Sequence, residues 1–138
     1  DSSDALEAGL REEFPAAAVR RSTAESDPAL DAWMQALSTH IDEGGPRPGL
    51  PLHVFGTALQ IRTWRFLTAL GNEDLRSYSN VAESIGKPRA VRAVANACAA
   101  NNIAVLIPCH RVLRKDLKLG GYRWGLARKR ALLRCISD

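Results

Sequence analysis

Ser77-Tyr78-Ser79-Asn80-Val81-Ala82-Glu83-Ser84-Ile85-Gly86-Lys87-Pro88-Arg89-Ala90-Val91-Arg92-Ala93-Val94 is the stretch on which the fold turns. Ser77 supplies an N-cap side chain, so a short helix is predicted over Tyr78 to Ile85. Gly86-Lys87-Pro88 breaks it, because glycine accepts a left-handed turn and proline lacks the donor to continue a helix. A second helix is predicted from Pro88 to about Ala100. Helix, short glycine-containing turn, helix is the outline of a helix-turn-helix. In the second helix Val91, Val94, Ala95 and Cys98 share a face that is expected to be buried, which leaves Lys87, Arg89, Arg92 and Asn96 to face outward. The small residues Ala90, Ala93, Ala97 and Ala99 allow close approach to another surface. On this pattern alone, an ordinary helical hairpin with a basic exposed face is the alternative.

Downstream, Asn101-Asn102 ends the second helix, and the apolar run Ile103 to Ile107 delivers the chain to Pro108-Cys109-His110-Arg111-Val112. A basic stretch follows (Arg111, Arg114, Lys115, Lys118), then Gly120-Gly121, Tyr122-Arg123-Trp124, and a last helix from Gly125 with Leu126, Leu132 and Leu133 as its apolar contacts. Upstream, Thr57 caps a helix carrying Ile61, Trp64, Leu67 and Leu70 on one stripe, and Leu52 to Phe55 reads as a strand. The proline-rich stretch from Gly45 to Pro51 reads as a linker or wrapping loop. Before it, Asp27-Pro28 opens a helix with Leu30, Trp33, Met34, Leu37 and Ile41 at helical spacing, ending at Gly44-Gly45. Residues 4 to 14 form a short amphipathic helix (Leu6, Leu10, Phe14) stopped by Pro15, with a strand expected at Ala16 to Val19.

The chain has 138 residues, 46% of them hydrophobic, enough for one ordinary core or two small subdomains. Its net charge of +4 is unevenly spread: residues 1–60 hold four Lys/Arg against ten Asp/Glu, and residues 61–138 hold fifteen against five. A basic half suits a polyanionic partner, nucleic acid first among them; a merely solvated face is the alternative. No apolar run reaches membrane-spanning length and no charged-then-apolar leader is present, so the expectation is a soluble, cytoplasmic protein with no membrane partner. Cys98, Cys109 and Cys135 lack the paired spacing of a disulfide framework or a zinc site, which fits a reducing compartment and no metal. The opening Asp1-Ser2-Ser3 lacks a methionine, as expected if an upstream regulatory domain precedes it in a longer parent chain.

Cys109 is the candidate nucleophile. A thiol attacks electrophiles as thiolate, and a free one has a pKa near about 8.5, so something must take its proton. His110 is adjacent, but neighbouring side chains often diverge, which leaves a direct hydrogen bond and a bridging water both open. From adjacency alone, a small buried cysteine beside a structural histidine is the commoner case.

The motifs Ile107-Pro108-Cys109-His110-Arg111-Val112, Ser77-Tyr78, Gly86 to Val94, Ala99-Ala100-Asn101 and Gly121-Tyr122-Arg123-Trp124-Gly125 together closely resemble the methylated-DNA–protein-cysteine methyltransferases, in that family's order over about residues 53 to 134. The resemblance implies an α/β fold: a small, ribonuclease-H-like α/β subdomain and linker over 1–51, packed on a mostly helical helix-turn-helix alkyltransferase domain over 52–138. It implies a bacterial monomer that needs no cofactor and takes as partner double-stranded DNA carrying an alkylated guanine. Cys109 would accept methyl from O6-methylguanine, with O4-methylthymine as a further substrate, in a single turnover. His110 would act as base through water, Asn101 would hold the active-site turn, and Tyr78 would rotate the target nucleotide and hydrogen-bond the base. Arg92 would fill the gap left by the flipped base, and Lys87, Arg89, Ala90, Arg111 and Arg123 would contact DNA. Val112, Tyr122, Arg123 and Trp124 would join Tyr78 around the alkyl group, Trp124 narrowing the space in favour of methyl.

Two positions depart from the family pattern. The last helix commonly carries a glutamate that hydrogen-bonds the histidine; counted without gaps, that position is Ile136, so Asp138 or solvent would have to substitute. The turn before Ser77, usually glycine-any-threonine-any, reads Glu73-Asp74-Leu75-Arg76. Two rival readings follow from other classes. One is a non-catalytic alkylated-DNA-binding or regulatory protein, in whose known examples the cysteine is replaced. The other is a Cys-His hydrolase, which leaves the helix-turn-helix without a role.

Overall fold

A computed structural model of the chain describes residues 2–71 and 74–137, with only the backbone of 135–137. Two compact units form, Asp1–Met34 and Gln35–Asp138. The division falls within a helix rather than at the proline-rich connector.

In the first unit α1 (Ser3–Glu13) is capped by Ser2, whose hydroxyl accepts from the Ala5 N–H at 3.1 Å. Arg21 pairs with Glu7 at 2.7 Å and with Asp4, and Arg11 donates to the Val19 carbonyl at 3.0 Å. These bonds take the place of the strand expected at Ala16 to Val19: residues 14–27 are turns and coil. No residue of α1 is buried. α2 (Pro28–Glu43) starts where Asp27 accepts the Leu30 N–H at 3.0 Å.

The second unit holds the core. α3 (Ala58–Thr68) opens with the full reciprocal cap, Thr57 with Gln60. Its Trp64 is buried, and the indole N–H donates 2.9 Å to the Ala97 carbonyl near the end of α5 (Val91–Ala100), which fixes α3 against α5. Leu67, Val81, Val94, Ile107 and Val112 complete the interior, each worth roughly 1.5–3 kcal/mol of burial. Leu52 and Val54 pack on this core, but no strand pairs with them, so the segment read as a strand at 52–55 is extended coil. The preceding connector is a wrapping loop: the Arg47 guanidinium donates to the Thr68 and Leu70 carbonyls at 2.8 and 2.9 Å, satisfying the open end of α3.

The helix-turn-helix forms as the sequence predicts. Ser77 caps α4 (Tyr78–Ser84), its hydroxyl accepting the Asn80 N–H at 3.0 Å. Gly86 sits at φ 78°, letting the Lys87 N–H return 2.9 Å to the Ala82 carbonyl. α5 begins three residues later than expected, because Pro88-Arg89-Ala90 close a turn through Ala90 N–H to Lys87 carbonyl at 2.8 Å.

One short parallel pair, β1 (Arg76–Ser77) with β2 (Val112–Leu113), places functional residues together. Its register sets Arg76 against Val112 and Ser77 against Leu113. Tyr78 follows β1 directly, and the 3-10 turn Cys109–Arg111 precedes β2 directly, so two paired positions bring the two motifs side by side. The last helix, α6 (Leu126–Ser137), corrects its predicted contacts: Leu126 is exposed and Lys129 is fully buried. Among the described residues no helix is long and apolar enough to cross a membrane, and none of residues 2–51 forms a strand. The fold is mixed helical with a two-stranded sheet.

Candidate active site

Cys109 is only 3% exposed and lies at the base of a cleft of about 1030 Å³. Tyr78, Cys98, Tyr122 and Arg123 line the same cleft, together with Asn96 and Ala99 of α5 and the loop from Arg114 to Gly121. Gly120, at φ 65°, passes so close to Tyr78 that a Cβ there would lie 3.2 Å from the ring and 3.3 Å from the hydroxyl. Only glycine lets the loop wall close against the tyrosine.

Asn101 builds the turn that carries the thiol. Its amide N–H₂ donates to the Ile107 carbonyl at 3.0 Å, the Ile103 carbonyl at 3.2 Å and the Cys109 Sγ at 3.2 Å, and its oxygen accepts the Ile103 N–H at 2.9 Å. The wrapped turn includes Val105 at φ 70°, a left-handed conformation that a β-branched residue adopts only under constraint from its surroundings. Asn101 supplies that constraint and a donor to sulfur at once.

One neighbour and burial hold the resting thiol neutral, and two neighbours favour its ionisation. The neighbouring Cys98 thiol, then burial, push the Cys109 pKa well above the ordinary thiol range, while the Asn101 bond and the Lys129 charge pull it down. Lys129 stands behind the cleft. Its ammonium donates to the Val112 carbonyl at 2.7 Å, the Leu119 carbonyl and the Gly121 carbonyl at 3.1 Å, and it sits 5.9 Å from the centre of the Tyr78 ring. One side chain thus ties β2, the loop wall and Tyr78 together. Burial raises the Tyr78 phenol to about 12 and the Tyr122 phenol to about 12, so both remain hydrogen-bond donors at neutral pH.

His110 is placed otherwise. It is buried outside the cleft lining, and among the described residues its Nδ1 has no hydrogen-bond partner. Burial, then the charges of Arg111, Arg47 and Lys129, lower its pKa to about 3. The ring is therefore neutral at working pH and holds a proton poorly.

A family model described as the DNA-binding domain of 6-O-methylguanine DNA methyltransferase matches residues 58–135. The chain belongs to this family. Among curated relatives of this methyltransferase family, it is 42% identical over 134 residues to the Escherichia coli bifunctional transcriptional activator/DNA repair enzyme Ada, covering 97% of this chain and 37% of Ada. It is 35% identical to the inducible methylated-DNA–protein-cysteine methyltransferase of Bacillus subtilis over 79% of this chain and 61% of that one. A crystal structure of Mycobacterium tuberculosis OGT in complex with DNA superposes with TM-score 0.74 at 37% identity, covering 78% of this chain and 67% of that one. The chain spans a little over a third of the length of its Ada-type relatives.

Within this methyltransferase fold the expected residues divide. Cys109, Tyr78, Tyr122 and Arg123 converge on the cleft, with Asn101 bonded to the sulfur from outside its lining, and the Arg123 guanidinium reaches the Asn101 carbonyl at 3.4 Å while lying 5.6 Å from the Trp124 ring centre. Lys87, Arg89 and Arg92 are exposed at the head of α5, with Ala90 half-buried. Arg111 is only 2% exposed, which takes it out of reach of a phosphate; its role is internal. Val112 is fully buried beneath the cleft, and Trp124 packs edge-on against Tyr122 at 5.3 Å, outside the lining. Glu73 and Asp138 lie outside the described residues, as does the side chain of Ile136. Lys129 and Cys98 are the residues the sequence reading missed as functional; a lone basic residue in a basic helix and an alanine-flanked cysteine gave no local signal.

Proposed function

We propose that this chain repairs DNA by moving a methyl group from O6 of guanine in duplex DNA to the Sγ of Cys109. The observation that carries the reading is the Asn101 amide, which donates to Sγ at the base of an open cleft while holding the turn that presents it. An N–H aimed at sulfur stabilises the thiolate more than the thiol. In the reaction the thiolate attacks the methyl carbon, the carbon–oxygen bond breaks, and guanine leaves with its electron pair. The Tyr78 hydroxyl, still protonated at neutral pH, is the cleft's donor for that developing negative charge. The product is a thioether, which offers water no carbonyl to attack, so each molecule acts once.

The thiol proton leaves with help from Asn101 and from the Lys129 charge. The departing proton goes to solvent in the cleft, since His110, lowered to about 3 and outside the cleft lining, does not retain one. Substrate reaches the cleft by base flipping, which costs a few kcal/mol and is cheaper at a mispaired lesion. The exposed Arg92 and the small residues of α5 suit a helix laid in the minor groove, where damage rather than sequence is read. Free Cys109 persists in a reducing, cytoplasmic setting.

Mass spectrometry on protein incubated with duplex carrying O6-methylguanine tests this. One methyl is expected on the Cys109 peptide and none in Cys109→Ala. Tight binding without mass gain would instead favour a damage-binding protein.

A further inference from the structure

The loop wall of the cleft carries a leucine where its backbone favours glycine. Between Arg114 and Lys118 the chain reverses through two bonds, Arg114 N–H to Lys118 carbonyl at 2.9 Å and Leu117 N–H to Arg114 carbonyl at 2.9 Å. Asp116 seals the turn, accepting the Lys118 N–H at 3.1 Å and pairing with Arg114 at 3.5 Å. The residue closing such a turn takes a left-handed conformation, and Leu117 does so at φ 65°. Its side chain is 80% exposed at the rim of the Cys109 cleft. Leucine is disfavoured there on two independent grounds: its Cβ crowds the backbone at positive φ, and its isobutyl group stands in water instead of in the core. Neither helps the fold, since glycine or asparagine would close the same turn without the crowding.

What the side chain meets must therefore come from outside, and the cleft it borders is where substrate enters. Arg114, Lys115 and Lys118 flank the leucine and outnumber Asp116, which pairs with Arg114 at 3.5 Å and Lys118 at 4.0 Å, so the turn stays net positive, and Arg123 and Arg130 lie on the same cleft. An apolar tip within a basic rim is complementary to a nucleic-acid strand, whose phosphates take the charges and whose sugar and base faces take the apolar group. We propose that Leu117 is a wedge: on a duplex it packs against the sugar–base face beside the extruded nucleotide and holds that nucleotide in the cleft. This rests on the reading that alkylated duplex DNA is the substrate. Leu117 is a positioning residue on DNA and takes no part in bond making at Sγ.

The role predicts opposite signs in two measurements. Leu117→Asn and Leu117→Gly remove the apolar tip while easing the backbone, so the thermal midpoint is expected to stay level or rise. Single-turnover repair of O6-methylguanine in duplex, at limiting protein, is expected to fall about tenfold. Reaction with free O6-methylguanine base needs no extrusion and is expected to be unchanged. Leu117→Met, which keeps an apolar tip, is expected to retain most of the duplex rate. Duplex repair within twofold of wild type in both Asn and Gly variants overturns the wedge, as does an equal loss on free base, which would make the loop a pocket element only. A wild-type chain that methylates Cys109 with neither substrate overturns the repair reading itself, and the wedge with it.

Discussion

Cys109 and His110 are adjacent in the chain, yet their surroundings differ in nearly every respect. The sulfur faces an open cleft and receives an amide N–H, with a buried ammonium nearby. The imidazole lies outside the lining of that cleft, has no partner at Nδ1 among the described residues and feels the charges of Arg111, Arg47 and Lys129. Sequence adjacency suggests a nucleophile and its base; the groups whose bond and charge favour a negative sulfur are Asn101 and Lys129. The difference matters because a histidine at about pKa 3 is some four orders of magnitude short of holding half a proton at pH 7. Breaking the Asn101 bond should therefore cost far more than breaking the histidine side.

Asn101→Ala carries the largest expected effect. It removes the donor to sulfur and also the bonds that hold Val105 at positive φ, leaving buried backbone groups without partners. We expect a loss of about 3 kcal/mol in a denaturant melt and a fall of about 100-fold in single-turnover methyl transfer. Asn101→Asp keeps most of the shape and the bond from the Ile103 N–H, but sets an acceptor against sulfur and against the Ile103 and Ile107 carbonyls. Its rate should fall as far as that of Asn101→Ala; a rate near wild type would show that the amide does not act on the thiolate.

Lys129→Met ranks next. Methionine fills the space but abandons three carbonyls and removes the positive charge near Sγ. Stability is expected to drop by about 2 kcal/mol and the rate at pH 7 by about tenfold. The rate deficit should narrow at high pH, where the thiol ionises without help. A deficit constant across pH would mean that the lysine serves only to shape the loop.

Legibility in the sequence divides along the same line. Local signals were sufficient for α3, α4 and the turn at Gly86, because caps and glycine act within four residues. They failed at Ala16 to Val19 and at Leu52 to Phe55, where β-prone residues lack a partner strand, and pairing is a non-local property. The site was legible as a set of motifs but not as a geometry. Arg111 sits in a basic run that reads as surface, yet the parallel pairing of β2 with β1 carries it inside. Lys129 becomes intelligible only when β2 and the glycine loop converge on one ammonium.

His110→Gln separates the two neighbours by pH. In the folded chain the imidazole pKa is depressed to about 3, whereas in the unfolded chain it is near 6.5. Below pH 6.5 the unfolded state therefore binds more protons, so this contribution to stability is complete above that pH and is lost as pH falls toward 3. Wild type should lose about 2 kcal/mol from this group between pH 7 and 5, and His110→Gln should lack that component in denaturant melts at the two pH values. Its methyl-transfer rate at pH 7 is expected to stay within about tenfold of wild type. A loss of 1000-fold would restore the histidine as an obligatory base.

The smallest effect belongs to Cys98→Ala, and it has the opposite sign. The Cys98 thiol lines the same cleft as Cys109 and, with burial, raises the Cys109 pKa. Removing it should lower that pKa and increase the thiolate fraction at neutral pH, raising the single-turnover rate about threefold even as the lost sulfur contacts cost about 1 kcal/mol of stability. The informative measurement is the whole pH–rate curve. Because the Cys109 pKa lies above the ordinary thiol value, the wild-type rate should keep climbing past pH 9. In Cys98→Ala the climb should shift to lower pH with the Asn101 contact intact. A curve displaced downward in rate at every pH, with no shift along the pH axis, would show that Cys98 only packs the base of the cleft and that burial alone keeps the nucleophile protonated.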